Sequence, residues 1–170
     1  MTYRTPLVIA ILLASLFTGC SKRPAPAALA SSASMVIQPG ASIGPVHSGM
    51  TMQEVVSELG PPQETNGPAL EYWNLGFSVI GREGKVHIVL CVNPSGQKGP
   101  FKKAFSGRTA QGIGIGSSRA DVVRAYGKPS STEIIKDEPE YEVLRYDSPP
   151  LYFRLRDGNV DTIGVIFHPK

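Results

Sequence analysis

The side chains of this sequence that could carry chemistry are few and scattered. Cys91 lies inside the apolar run Val86 to Val92, where a lone thiol behaves as a small buried hydrophobe rather than as a nucleophile. His47, His87 and His168 fall in separate parts of the chain, with no Cys or carboxylate at the spacing of a zinc motif such as H-E-x-x-H. Gln111-Gly112-Ile113-Gly114-Ile115-Gly116 is spaced G-x-G-x-G. That matches neither the dinucleotide fingerprint G-x-G-x-x-G nor a P-loop with its lysine, so it reads as a turn ahead of a helix. No serine stands in a nucleophile elbow. The expectation is a non-enzymatic chain with no catalytic residue, no metal and no cofactor.

Recognition is the better prospect. Lys98, Lys102, Lys103 and Arg108 interleave with Phe101 and Phe105, while Asp137, Glu138, Glu140 and Glu142 form an acidic segment. Aromatics mixed with basic side chains are favoured at interfaces. Phe101, Lys102, Lys103, Phe105 and Arg108 are therefore the candidate partner-binding residues, and Tyr72 and Trp73 either extend that surface or belong to the core.

The N-terminus points to an anchor. Arg4 precedes an apolar run of 11 residues, Leu7 to Phe17, and Thr18-Gly19 lead into Cys20. A helix needs ~20 apolar residues to cross a bilayer, so this run suits the hydrophobic region of an export signal. Leu16-Phe17-Thr18-Gly19-Cys20 resembles the lipobox of bacterial lipoproteins. The resemblance implies cleavage before Cys20, lipid attachment to its sulfur and, with Ser21 following, sorting to the outer membrane. Ordinary secretory cleavage nearby, with Cys20 left as a free thiol, is the competing reading.

Removal of 19 residues from 170 leaves 151, with 16 Lys+Arg against 14 Asp+Glu, or about +2. So small an imbalance argues against nucleic acid, which needs a concentrated basic face. The length suits one compact domain or two small ones. Residues 20–41 are rich in Ala, Ser and Pro and read as a flexible tether with an r.m.s. span of roughly 25 Å.

The elements beyond the tether follow from an internal repeat. Residues 49 to 62 overlie 116 to 129, matching Gly49 with Gly116, Val55-Val56 with Val122-Val123, Gly60 with Gly127 and Pro62 with Pro129. Each stretch has the makings of a short helix. Thr51 and Ser118 can cap it, with Glu54 and Asp121 three residues later. Val55, Val56 and Leu59, like Val122, Val123 and Tyr126, make one apolar stripe for a sheet to cover. The glycines and prolines end it. Strand signals then align at an offset of 74, from Leu70 with Leu144 to Gly84 with Gly158, so seven residues are gained in the loop between. Glu83-Gly84 and Asp157-Gly158 suit tight hairpin turns.

The expected fold is α+β: two similar repeats, each a short helix or helix pair followed by an antiparallel three- to four-stranded meander, packed as one unit. The expected boundaries are 1–19 for the signal, 20–41 for the tether, 42–95 for repeat 1, 96–109 for a connector or bridging strand, and 110–170 for repeat 2.

A glycine-led helix closing on Leu-Gly-x-Pro or Tyr-Gly-x-Pro and followed by strands resembles the unit shared by the BamE (SmpA/OmlA) lipoproteins and the β-lactamase inhibitor protein. The carrying stretches are Gly49-Met50-Thr51 through Gly60-Pro61-Pro62 and Gly116-Ser117-Ser118 through Gly127-Lys128-Pro129. The resemblance implies an envelope lipoprotein that binds a protein partner and meets the membrane through its N-terminal lipid. Two further readings are an enzyme inhibitor of the tandem type and a small-ligand or peptidoglycan-binding module.

Overall fold

The computed structural model describes residues 35–96 and 100–168. The chain enters through a small antiparallel sheet of β1 (Ile37–Gln38), β2 (Ser42–Ile43) and β3 (Val46–His47). The helix α1 (Met52–Leu59) follows, then β4 (Glu64–Asn66), β5 (Ala69–Tyr72), β6 (Phe77–Arg82) and β7 (Lys85–Val92). A connector leads to the helix α2 (Arg119–Tyr126), and then to β8 (Ser131–Ile135), β9 (Glu138–Tyr146), β10 (Leu151–Arg156) and β11 (Asn159–Ile166). The architecture is α+β with strand predominant. All eight strands from β4 onward form one antiparallel sheet in the order β4-β5-β6-β7-β11-β10-β9-β8.

The local chemistry that starts each helix is the one its sequence suggests. The Thr51 hydroxyl accepts from the Glu54 N–H, and the Glu54 carboxylate accepts from the Thr51 N–H at 2.7 Å. Ser118 and Asp121 make the same reciprocal pair. Each capping residue also bridges to a strand: Thr51 pairs with Lys85 and Ser118 with Asn159. At the other end, the Tyr72 hydroxyl donates to the Gly60 carbonyl and the Tyr146 hydroxyl to the Gly127 carbonyl, both at 3.1 Å. Each helix is thus tied down at both ends to the sheet beneath it.

Strand alternation divides the sheet into two faces. Leu70, Phe77, Val79, Val89 and Cys91 from one half, and Leu144, Leu151, Phe153, Ile163 and Val165 from the other, join Val55 and Val122 in one buried core. Ile37, Ile43 and Val46 complete it. Ser78, Ile80 and Leu90, with Arg145, Tyr152, Arg154 and Gly164, occupy the opposite face, on which neither helix packs. β7 and β11 join about the pair Leu90 and Gly164, with Val89 opposite Val165 and Cys91 opposite Ile163.

Each half carries a single helix and four strands, since β4 and β8 add an outer strand to each meander. One expectation changes. The extra residues of the second half do not make a loop: they lengthen the β8–β9 hairpin, whose tip is Lys136-Asp137. The described part of the connector forms no strand, only bridge pairs such as Ile37 with Thr109.

Candidate functional site

Cys20 and Lys98 lie outside the described residues. Of the other candidates, the fold gathers three from the connector, Phe101, Lys102 and Lys103, at one surface with Trp73. Residues 102–105 run over the β5–β6 turn, where the Lys102 N–H donates to the Trp73 carbonyl at 3.3 Å. Gly76 permits this approach: a Cβ there would stand 2.7 Å from the Lys103 oxygen and 2.8 Å from the Ala104 carbonyl carbon. Trp73 and Phe101 are consequently half-buried neighbours of the exposed Lys102 and Lys103.

Tyr72 and Phe105 are not part of that surface. Both are core residues, 1% and 3% exposed. Phe77 lies between them, 5.4 Å from Tyr72 in a stacked pair and 6.1 Å from Phe105 edge-on. Burial pushes the Tyr72 hydroxyl up to about 12, and its proton is given to Gly60. The Phe105 N–H donates to the Val92 carbonyl, which seats its ring at the end of β7. Arg108 also belongs elsewhere, since its guanidinium donates to the Gly112 carbonyl at 2.9 Å within the turn before α2. That turn uses the glycine run structurally: the Gly114 N–H donates to the Ser117 hydroxyl.

The remaining reactive groups stay apart. Cys91 is fully buried and its thiol is pushed up by that burial. His47 and His168 are exposed, and His87 contacts the Phe167 carbonyl at 3.3 Å. Among the described residues no group of three His, Cys, Asp or Glu is placed to hold a metal ion. A depression of about 450 Å³ beside α2 is lined by Arg108, Gln111, Ser117, Asp121 and Arg124. Its Arg124 is taken by Asp121 at 2.7 Å, and Arg108 by Gly112.

A second surface, which sequence reasoning missed, lies on the helix-free face of β9, β10 and β11. Register places Arg145 opposite Tyr152, Val143 opposite Arg154, and Tyr141 opposite Arg156. The Arg145 guanidinium sits 5.4 Å from the Tyr152 ring centroid, while Arg154 and Arg156 lie 4.9 and 5.8 Å from that of Tyr141. Arg154 is fixed from below: its Nε and Nη2 donate to the buried Asp161 carboxylate at 3.2 and 2.5 Å. Burial raises the Tyr152 hydroxyl, and the nearby positive charges of Arg145 and Arg154 oppose that rise. Of these groups the first half keeps only an arginine, Arg82, at the place that matches Arg156. There the face presents Glu71, whose carboxylate accepts from the Ser78 hydroxyl, with Ile80, Ile88 and Leu90. One sheet face therefore holds an aliphatic region and an arginine-tyrosine region side by side.

The alternation of Tyr152, Arg154 and Arg156 with Leu151, Phe153 and Leu155 was the available signal for this surface. Comparison of the chain with known protein families, curated proteins and solved structures finds no match.

Proposed function

We propose that this chain is a lipid-anchored, non-enzymatic binding module of the bacterial envelope, built from two copies of one helix-and-meander unit, which docks a protein partner on the helix-free face of its sheet. Cys20 is the lipid attachment site in this reading, and the outer membrane facing the periplasm is its location. The duplicated reading is supported by bonds that recur at matching positions: the capping boxes of Thr51 and Ser118, the tyrosine ties to Gly60 and Gly127, and the left-handed Glu83 and Asp157 in the two hairpin turns.

The observation that carries the binding reading is the arginine-tyrosine group on an otherwise regular sheet. Arginine and tyrosine dominate interface hot spots, because they offer large contact area with few rotamers to fix. Folding needs neither type on a face that no helix covers, yet three arginines are held over two rings there. An enzyme inhibitor would use the same face, so the inhibitor reading differs only in the partner.

The test is site-specific photocrosslinking in living cells. A crosslinker placed at Arg145 should trap a discrete partner band, whereas one at Ser57, exposed on α1, should not. Tyr152→Ala should weaken the Arg145 band about tenfold or more, the scale of a hot-spot residue. Equal trapping from both positions, or a band indifferent to Tyr152, overturns the reading. Cys20→Ala should move the protein from the membrane pellet to the soluble periplasm, and unchanged partition refutes the anchor.

A further inference from the structure

We propose that Trp73, Phe101, Lys102 and Lys103 form a lipid-facing patch that rests on an anionic membrane surface. The inference depends on the anchored reading for its bilayer, and it assigns this patch to lipid rather than to the protein partner.

The patch has the composition of a membrane interface. Tryptophan and phenylalanine settle at the headgroup level, and lysines with apolar stems direct their charge to acidic headgroups. The turn Trp73-Asn74-Leu75-Gly76 and the stretch Pro100 to Ser106 contain no carboxylate at all, so no acidic side chain of either segment neutralises Lys102 and Lys103. Both lysines are exposed, and neither takes part in a salt bridge of the described residues.

The position agrees with the composition. Met35, the first described residue, lies against Gly107 in the same connector, where a Cβ on Gly107 would collide with the Met35 carbonyl oxygen. Gly107 is five positions beyond Lys102, so the patch and the point where the tether meets the fold are at most ~18 Å apart. The 15 residues from Cys20 to Met35 could reach at most ~54 Å. An anchor at Cys20 thus holds this patch within reach of the leaflet into which its lipid inserts. Two lysines and two rings bind a membrane weakly alone, and the tether raises their effective concentration enough for contact to persist. With this patch against the membrane, the bilayer becomes a fixed boundary at the connector end of the molecule.

Trp73 is the only tryptophan of the chain, so its fluorescence reads the patch directly. The full mature protein, carrying its lipid, is incorporated into vesicles of brominated phosphatidylcholine, alone or with phosphatidylglycerol. In the anionic vesicles at low salt, Trp73 emission should shift to the blue and be quenched by the brominated chains. The double variant Lys102→Glu/Lys103→Glu should lose about two thirds or more of that quenching while sedimenting with the vesicles as before, and about 0.5 M salt should act similarly. Unquenched Trp73 in anionic vesicles that do carry the protein overturns the patch. So does quenching that the double variant keeps, or shielding of Trp73 that appears only when envelope proteins are added. If the wild-type protein fails to sediment with vesicles, the anchor reading fails instead. The patch is then judged on the Cys20→Ser chain titrated with anionic vesicles, where absence of quenching at saturating lipid overturns it.

Discussion

Tyr152 owes its place to an atom that is missing. Gly164 lies beneath its ring, and a Cβ there would overlap the ring's Cε1 and Cζ atoms, with Cδ1 only 2.8 Å away. Glycine in a central strand normally weakens it, so this one is explained by the close approach it allows. Gly164→Ala should displace the ring, cost about 1–3 kcal/mol as overpacked cores do, and reduce crosslinking from Arg145. A thermal melt and a crosslink yield both unchanged would show that the ring is not held by this contact. The sequence revealed half of this arrangement. Leu151, Phe153 and Leu155 are legible as the inward members of a strand, and the same alternation sends Tyr152, Arg154 and Arg156 outward. What it cannot give is the register that brings Tyr141 and Arg145 across from β9, because cross-strand partners are set by pairing and not by proximity in the chain. Phe105 and Tyr72 illustrate the opposite difficulty: each stands beside residues with exposed partners in sequence, yet both are drawn into the core around Phe77.

The helices were the most readable elements, since capping residue, acidic third residue, apolar stripe and terminal glycine all agree. Their caps predict a dependence on pH. Glu54 is held below its ordinary value of 4.5, first by the Thr51 N–H and then by its hydroxyl. Asp121 is held below 3.8 by the Ser118 hydroxyl, then by Arg124 and by the Ser118 N–H. A carboxyl group with a depressed folded value stabilises the fold above its unfolded value, and that contribution disappears as pH falls through the folded one. Both contributions are therefore complete near neutrality and fade from about pH 4 downward. Glu54→Gln and Asp121→Asn should each lower the melting temperature at about pH 6 and approach wild type near pH 2. A deficit that stays constant across that range would mean the carboxylates act only through shape. Thr51→Ala or Ser118→Ala should cost about 1 kcal/mol, as N-cap removals do. The outer strands were harder to read than the helices. β4 is exposed along its whole length and β8 nearly so, so neither shows the apolar alternation by which a strand is recognised.

At the scale of the molecule, the decisive contact is the pairing of β7 with β11, which turns two four-stranded meanders into one sheet. These are its central strands, and Val89, Cys91, Ile163 and Val165 on them are fully buried. Separating the halves would expose a long apolar edge on each, and a unit of about 60 residues buries too little of its surface to tolerate that loss. The first half also depends on the connector, because Phe105 closes over Phe77. The full chain should accordingly unfold in one cooperative transition, with calorimetric and van't Hoff enthalpies equal. Chains ending at residue 96 or beginning at residue 100 should show no cooperative melt when expressed separately. Val165→Asp should abolish the single transition, since an unpaired carboxylate in that pairing costs at least ~3 kcal/mol. Two separate melts in the intact chain, or a stable isolated half, would mean that β7 and β11 merely touch. The arginine-tyrosine region and the aliphatic region would then move independently, and a partner spanning both could not bind one continuous face.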